Sequence, residues 1–147
     1  MDRNRILNDL AEIGADYSQL LAVFRSIQDD SHRAYTSIDL AKIDISYFSD
    51  ALAIARSIQS ESSRAHILVS LAKIDSTYCF EAFVSARLVR DEFERVKILI
   101  RLVEINSDYF SEALAAALSI KYEFRQADFL KSLAKIDGAD LSALLAA

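Results

Sequence analysis

The chain has 147 residues, of which 52% are hydrophobic and 27% are charged, and its formal net charge is −5. A chain of this length and composition buries a core as one domain, which speaks against disorder. The negative charge opposes general attraction to nucleic acid or to an anionic membrane.

Residues that mark hairpin turns or a secreted protein are scarce. There is no Pro and there are only two Gly, which disfavours β-hairpins and irregular loops. The single cysteine, Cys79, cannot form an intramolecular disulfide, and the polar start MDRNRILNDL lacks the apolar segment of a secretory signal. No apolar run approaches the ~20 residues that span a bilayer. We therefore expect a cytoplasmic protein that makes no membrane contact.

A five-residue motif recurs along the chain, as LAKID in three copies and as LAEIG and LVEIN in the others. Its leading Leu stands at positions 10, 40, 71, 102 and 133, so the spacings are 30, 31, 31 and 31 residues. Seven positions later stand Tyr17, Tyr47, Tyr78 and Tyr109, with Asp140 in the last copy. Such regularity is typical of stacked helical arrays. We therefore expect a single domain over residues 1–147, with copies at approximately 1–28, 29–59, 60–90, 91–121 and 122–147.

Each copy predicts two helices, called A and B below. In the third copy, apolar residues recur at three- and four-residue steps from about residue 63 to 74, which predicts helix A, and from about 78 to 89, which predicts helix B. The polar turn Asp75-Ser76-Thr77 between them supplies side chains that cap the second helix. Acidic residues that suit a helix N-terminus begin successive A helices, at Asp30, Glu61, Glu92 and Glu123.

Two further rows recur with the copies. Arg33, Arg64 and Arg95 follow three positions after the acidic residues, which is the spacing of an ion pair on a helix. We interpret this row as structural, the alternative being a clamp for an anion or carboxylate. Small residues that let neighbouring helices approach closely recur at Ala34, Ala65, Ala51, Ala82 and Ala113. The predicted fold is an all-α, right-handed α-solenoid of five two-helix repeats and ten helices, the last repeat truncated.

The spacing Tyr47-Phe48…Ala51-Leu52…Ala55 resembles the tetratricopeptide-like class of helical repeats. HEAT-type arrays share the same physics, and the resemblance covers essentially the whole chain. The period here is 31 residues instead of about 34, and the usual Trp and terminal Pro are absent. The resemblance implies a curved scaffold that binds peptides or proteins, while these departures leave the curvature and the groove open.

No residue pattern indicates catalysis. His32 and His66 occupy different positions in successive copies, and neither has a recurring partner at a metal-binding step. Cys79 stands where neighbouring copies have Phe48 and Phe110, which predicts a buried and inert thiol. The chain has neither a Gly-rich phosphate loop nor a nucleophile elbow. We therefore expect no enzyme activity, no metal and no cofactor.

Function is expected at positions that face outward and vary between copies. We predict that the A helices bind a protein or peptide through an apolar row, Ile38, Val69 and Ile100, with polar flanks. Those flanking residues are Tyr35, Asp39, His66, Lys97 and Arg101. The alternative is that the apolar row packs between adjacent A helices.

Three other expectations concern partners. A helical-repeat lyase or accessory subunit that holds a chromophore or another small ligand is the alternative function. Nucleic-acid binding is disfavoured by the net charge and by the lack of a coherent basic stripe. In the last copy, Leu141, Leu144 and Leu145 form an apolar strip at helical spacing with no capping helix after it. This strip predicts a homodimer, or docking of the C-terminal end on a partner protein.

Overall fold

The computed structural model describes residues 26–137, together with the single positions 9, 19, 22 and 23. Residues 26–137 form seven α-helices and three short 3-10 helices, without a strand. The elements are α1 (Asp30–Ile43), η1 (Ile45–Tyr47), α2 (Phe48–Ser57), α3 (Glu61–Ile74), η2 (Ser76–Tyr78), α4 (Cys79–Arg87), α5 (Glu92–Ile105), η3 (Ser107–Tyr109), α6 (Phe110–Leu118) and α7 (Glu123–Asp137). None of these helices has the length and hydrophobicity needed to cross a bilayer.

The all-α prediction is confirmed for this part of the chain. The A helices α1, α3, α5 and α7 begin at positions 30, 61, 92 and 123, which are 31 residues apart. Ten helices were expected, and the described residues contain seven. Most of the first copy and the B helix of the last copy lie outside these residues, and so does the predicted strip Leu141, Leu144 and Leu145.

Side-chain caps precede the A helices, where no cap was predicted, and the 3-10 turns between helices A and B, where polar caps were predicted. Asp29, Ser60 and Asp91 each accept a hydrogen bond from a backbone N–H in the first turn of the following A helix. Between helices A and B, Asp75 accepts from the backbone N–H of Thr77 at 3.1 Å, and Asp44 and Asn106 form the same contact in their copies. This local bond starts a 3-10 turn, so α4 begins at Cys79, one residue later than predicted.

The Arg row forms a different bond from the predicted one. Only Arg33 pairs with the acid three residues before it, at 2.8 Å from Asp30. Instead, Arg64 donates to the carbonyl of Ile58 at 2.8 Å, and Arg95 donates to the carbonyl of Val89 at 2.7 Å. Gln126, at the equivalent position of the next copy, donates to the carbonyl of Ile120 at 3.1 Å. The row therefore ties helix A to the preceding helix B, where carbonyls lack helical partners and carry the negative end of the dipole.

Packing follows the order of the chain. Each A helix contacts the next A helix, and α2, α4 and α6 each contact the A helices that precede and follow them. The leading Leu of the five-residue motif is at most 1% exposed in all four described copies, at Leu40, Leu71, Leu102 and Leu133. The recurring small residues are fully buried, at Ala34, Ala51, Ala65, Ala82 and Ala113. Because Ala has only a methyl group, neighbouring helices approach closely at these positions.

We expect Arg95→Met to lower the free energy of unfolding by about 1–2 kcal/mol, because it removes a charge-assisted hydrogen bond to a helix end. Arg33→Met is the matched control. It removes a partly exposed ion pair and no bond to a helix end, and should cost less than about 1 kcal/mol. Urea unfolding followed by circular dichroism measures both. Equal losses in the two variants would contradict the tie between helices.

Candidate functional site

The apolar row of the predicted site lies in the core. Ile38, Val69 and Ile100 are 3%, 0% and 8% exposed. The expectation that this row faces outward is wrong, because adjacent A helices pack side by side and cover it. The alternative interpretation, packing within the array, is the one that the structure supports. The A helices therefore do not offer an apolar groove along these residues.

The polar flanks of the predicted site remain accessible to different degrees. Tyr35 is 49% exposed, and the side chains of Asp39 and Lys97 are exposed to a similar extent. His66 and Arg101 are partly buried. The surface that the A helices present at this site is therefore polar and of mixed charge.

Three of the predicted residues meet in one hydrogen-bonded network between α3 and α5. Arg101 contacts Nδ1 of His66 at 2.9 Å, and Nε2 of His66 lies 3.0 Å from Oε2 of Glu94. Lys97 donates to the other carboxylate oxygen of Glu94 at 2.8 Å, and Arg101 also donates to Ser70. Since an Arg N–H can only donate, Nδ1 of His66 accepts and Nε2–H donates to Glu94. The network orients the imidazole of His66 and joins two adjacent A helices.

Glu94 and Ser70 were not predicted as members of this site. The spacing of Glu94 three residues before Lys97 is the sequence signal that indicates their ion pair. Tyr35 and Asp39 lie apart from the network on α1, where Asp39 is 3.9 Å from Lys42. The structure therefore divides the predicted partner-binding residues into a buried row, an interhelical network and two exposed side chains.

An exposed apolar stripe along α4 and its C-cap was not predicted from the sequence. Phe80, Val84 and Leu88, one helical turn apart, are 67%, 44% and 53% exposed. We call these three residues the α4 stripe. The equivalent residues 31 positions away are small and also exposed, as Ser49, Ala53 and Ser57 before the stripe and Ser111, Ala115 and Ser119 after it. One copy alone among the three described B helices therefore carries large apolar side chains on this face.

Helix stability does not explain the stripe. In the neighbouring copies, Ser57 donates to the carbonyl of Ile54 at 2.7 Å and Ser119 donates to the carbonyl of Ala116 at 2.6 Å. These bonds satisfy acceptors at the helix C-terminus. Leu88 occupies the same position on α4 and has no hydroxyl to donate. The third copy therefore lacks a stabilising contact and exposes a leucine to water instead.

A cleft of about 270 Å³ adjoins the α4 stripe. Its lining residues come from α2, α3, α4 and the C-cap of α4, and they are Arg56, Arg64, Leu68, Glu81, Val84, Ser85 and Leu88. Arg56 donates to both carboxylate oxygens of Glu81, at 2.8 and 2.9 Å. This bidentate pair lowers the pKa of Glu81. Ser85 is 5% exposed, and its hydroxyl has no hydrogen-bond partner among the described residues.

Cys79 and His32, which were considered for catalysis or metal binding, do not line the cleft. Burial raises the pKa of the Cys79 thiol, which disfavours the reactive thiolate and confirms the buried position expected for this residue. His32 lies 2.9 Å from the cap residue Asp29. Within residues 26–137, no three His, Cys, Asp or Glu side chains are grouped so that they could hold a metal ion.

Comparisons of the chain with protein-family models, with curated proteins and with solved structures find no match.

The Glu94 carboxylate provides a pH-dependent test of the interhelical network. Its hydrogen bonds, first from Lys97 and then from His66, hold its pKa below the ordinary value of 4.5. A lowered folded-state pKa stabilises the protein above the unfolded-state pKa, and this stabilisation is lost as the pH falls through the folded-state value. Wild type should therefore be more stable than Glu94→Gln near neutral pH and equally stable in acid.

The difference should stay under about 1 kcal/mol, because the Glu94 side chain is 35% exposed and water screens its ion pairs. Urea unfolding at a series of pH values measures it. Glu104→Gln is the control, since Glu104 is exposed and forms no ion pair with the described residues. A pH-independent difference for Glu94→Gln would contradict the network's role.

Proposed function

We propose that this chain is a non-catalytic protein- or peptide-binding module of the α-solenoid class, similar in architecture to tetratricopeptide-like or HEAT-like arrays. The 31-residue spacing of the A helices and the sequential packing of neighbouring helices support this proposal. A cytoplasmic location fits the single buried thiol of Cys79. Homodimerisation through Leu141, Leu144 and Leu145 stays a separate prediction.

The α4 stripe is the observation that carries the proposal. Exposure of apolar side chains to water is unfavourable in proportion to the exposed area, by about 25 cal/mol per Å². Contiguous exposed apolar residues therefore mark interaction surfaces. Phe80, Val84 and Leu88 are also the exception on a scaffold whose neighbouring copies place Ser and Ala at the same exposed positions. We interpret the replacement of small residues by large, exposed apolar ones as the mark of a contact with another molecule.

The adjoining cleft lies at the small end of the range of small-molecule pockets. Pockets for small molecules usually enclose about 300–1,000 Å³ and bury most of the ligand. The cleft beside the stripe has about 270 Å³ and accommodates one or two side chains. It suits a side chain that projects from a larger partner resting on the stripe.

The test replaces the stripe by the residues of the neighbouring copies. In Phe80→Ser/Val84→Ala/Leu88→Ser, the fold should keep its thermal stability, because a hydroxyl at position 88 can donate to a helix-end carbonyl as Ser57 does. Partners recovered from the native lysate on wild type should be lost on this variant. Isothermal titration calorimetry with the purified partner should show an affinity at least tenfold weaker, which corresponds to about 1.4 kcal/mol.

A second variant, Tyr35→Ala/Asp39→Ala, removes the exposed polar side chains of the predicted A-helix site. We expect it to retain binding. If this variant alone fails to bind the partner, the interface lies on the A helices and not on α4. If neither variant changes any interaction, the proposed function is wrong.

A further inference from the structure

We propose that the α4 stripe and its cleft bind an amphipathic helix that carries acidic side chains beside its apolar face, with one carboxylate entering the cleft. This inference rests on the proposed function and adds the chemistry of the partner.

The stripe and the cleft form one continuous surface. Val84 and Leu88 belong to the stripe and also line the cleft, while Phe80 extends the stripe by one further turn. Phe80 and Leu88 lie eight positions apart, from the second residue of α4 to its C-cap, which is about 12 Å along the helix. An apolar face of two to three helical turns on the partner covers this length. A helix that lays its apolar residues along such a ridge satisfies all of its interior backbone groups by itself.

The charged residues that line the cleft leave a positive charge that favours a negatively charged group of the partner. Arg56 and Glu81 neutralise each other in their bidentate pair. Arg64 uses one nitrogen to bind the carbonyl of Ile58 and forms no ion pair with the described residues. The cleft therefore holds one guanidinium group that has no carboxylate partner among the described residues, although the chain as a whole has a net charge of −5. A carboxylate is the group on a polypeptide that complements it.

The positive charge continues at the end of the stripe. Arg87 and Arg90 are exposed there, and neither forms an ion pair within residues 26–137. Arg87 lies over the ring of Phe83, 5.8 Å from its centroid. Glu112 is the acidic residue on the neighbouring helix α6 at the position equivalent to Glu81, and it does not pair with Arg87. Acidic side chains that flank the partner's apolar face would meet these two guanidinium groups.

The unpaired hydroxyl of Ser85 is a second feature that indicates a hydrogen-bond acceptor on the partner. A buried hydroxyl without a hydrogen-bond partner destabilises the protein that contains it. The equivalent residues of the neighbouring copies are Ile54 and Ala116, which have no such group. The copy that carries the apolar stripe is therefore also the copy in which a residue that lines the cleft has a buried, unpaired hydroxyl. A carboxylate in the cleft would accept from Ser85 and neutralise Arg64.

Selection from a displayed library of randomised helical peptides, each about five turns long, tests this inference. Peptides are selected on wild type, and those that also bind Phe80→Ser/Val84→Ala/Leu88→Ser are discarded. We expect the remaining peptides to carry apolar residues three and four positions apart and an excess of Asp and Glu. Their affinity should fall about tenfold in Ser85→Ala, as loss of a hydrogen bond to a charged group implies. It should also fall with added salt.

The control is the stability of Ser85→Ala, which should equal or exceed that of wild type because the variant reproduces Ala116. Stripe-dependent peptides that are neutral or basic and bind Ser85→Ala normally would overturn the acidic helix and leave the proposed function intact. Absence of any stripe-dependent peptide would overturn the proposed function itself. Light scattering that shows a dimer for wild type and a monomer for the stripe variant would make a second copy the occupant and also overturn the inference.

Discussion

Contact between consecutive helical hairpins is the constraint on which the rest of this structure depends. A pair of short helices has too little apolar surface to be stable alone, so each pair must be covered by its neighbours. The described residues achieve this with a leading Leu that is almost completely buried in each copy and with Ala at the closest helix contacts. Side chains from helix A that bind carbonyls of the preceding helix B set the position of one hairpin on the next.

This constraint also separates structural positions from functional ones. A position that recurs with the 31-residue spacing and is buried, such as Leu71, is explained by packing. An exposed position is free to vary, and most exposed positions of the B helices are small or polar. The α4 stripe is conspicuous against this background because its three large apolar side chains are 44–67% exposed where the neighbouring copies have Ser and Ala. Comparison between copies thus provides an internal reference for the surface of a single chain.

The sequence predicted the helices and the polar turns between helices A and B well because both depend on local spacing. It assigned the wrong acceptor to Arg64 and Arg95 because a three-residue spacing reveals the nearby acid and not the carbonyl at the end of the preceding helix. It placed Ile38, Val69 and Ile100 on the surface because a helical wheel gives an angle and not the number of neighbours. An A helix with another A helix on each side buries a wide arc. The stripe was present in the sequence, but only a comparison of B helices copy by copy reveals it.

The two candidate surfaces differ in what a partner would gain from them. On the A helices, His66, Glu94, Lys97 and Arg101 already satisfy one another, so a partner must remove water from charged groups without forming better bonds. On α4, covering Phe80, Val84 and Leu88 releases water from apolar surface, and Ser85 and Arg64 gain an acceptor and a counter-charge. In the proposed complex, apolar burial would supply most of the affinity, and the cleft would select among apolar partners by rejecting those that lack a negative group.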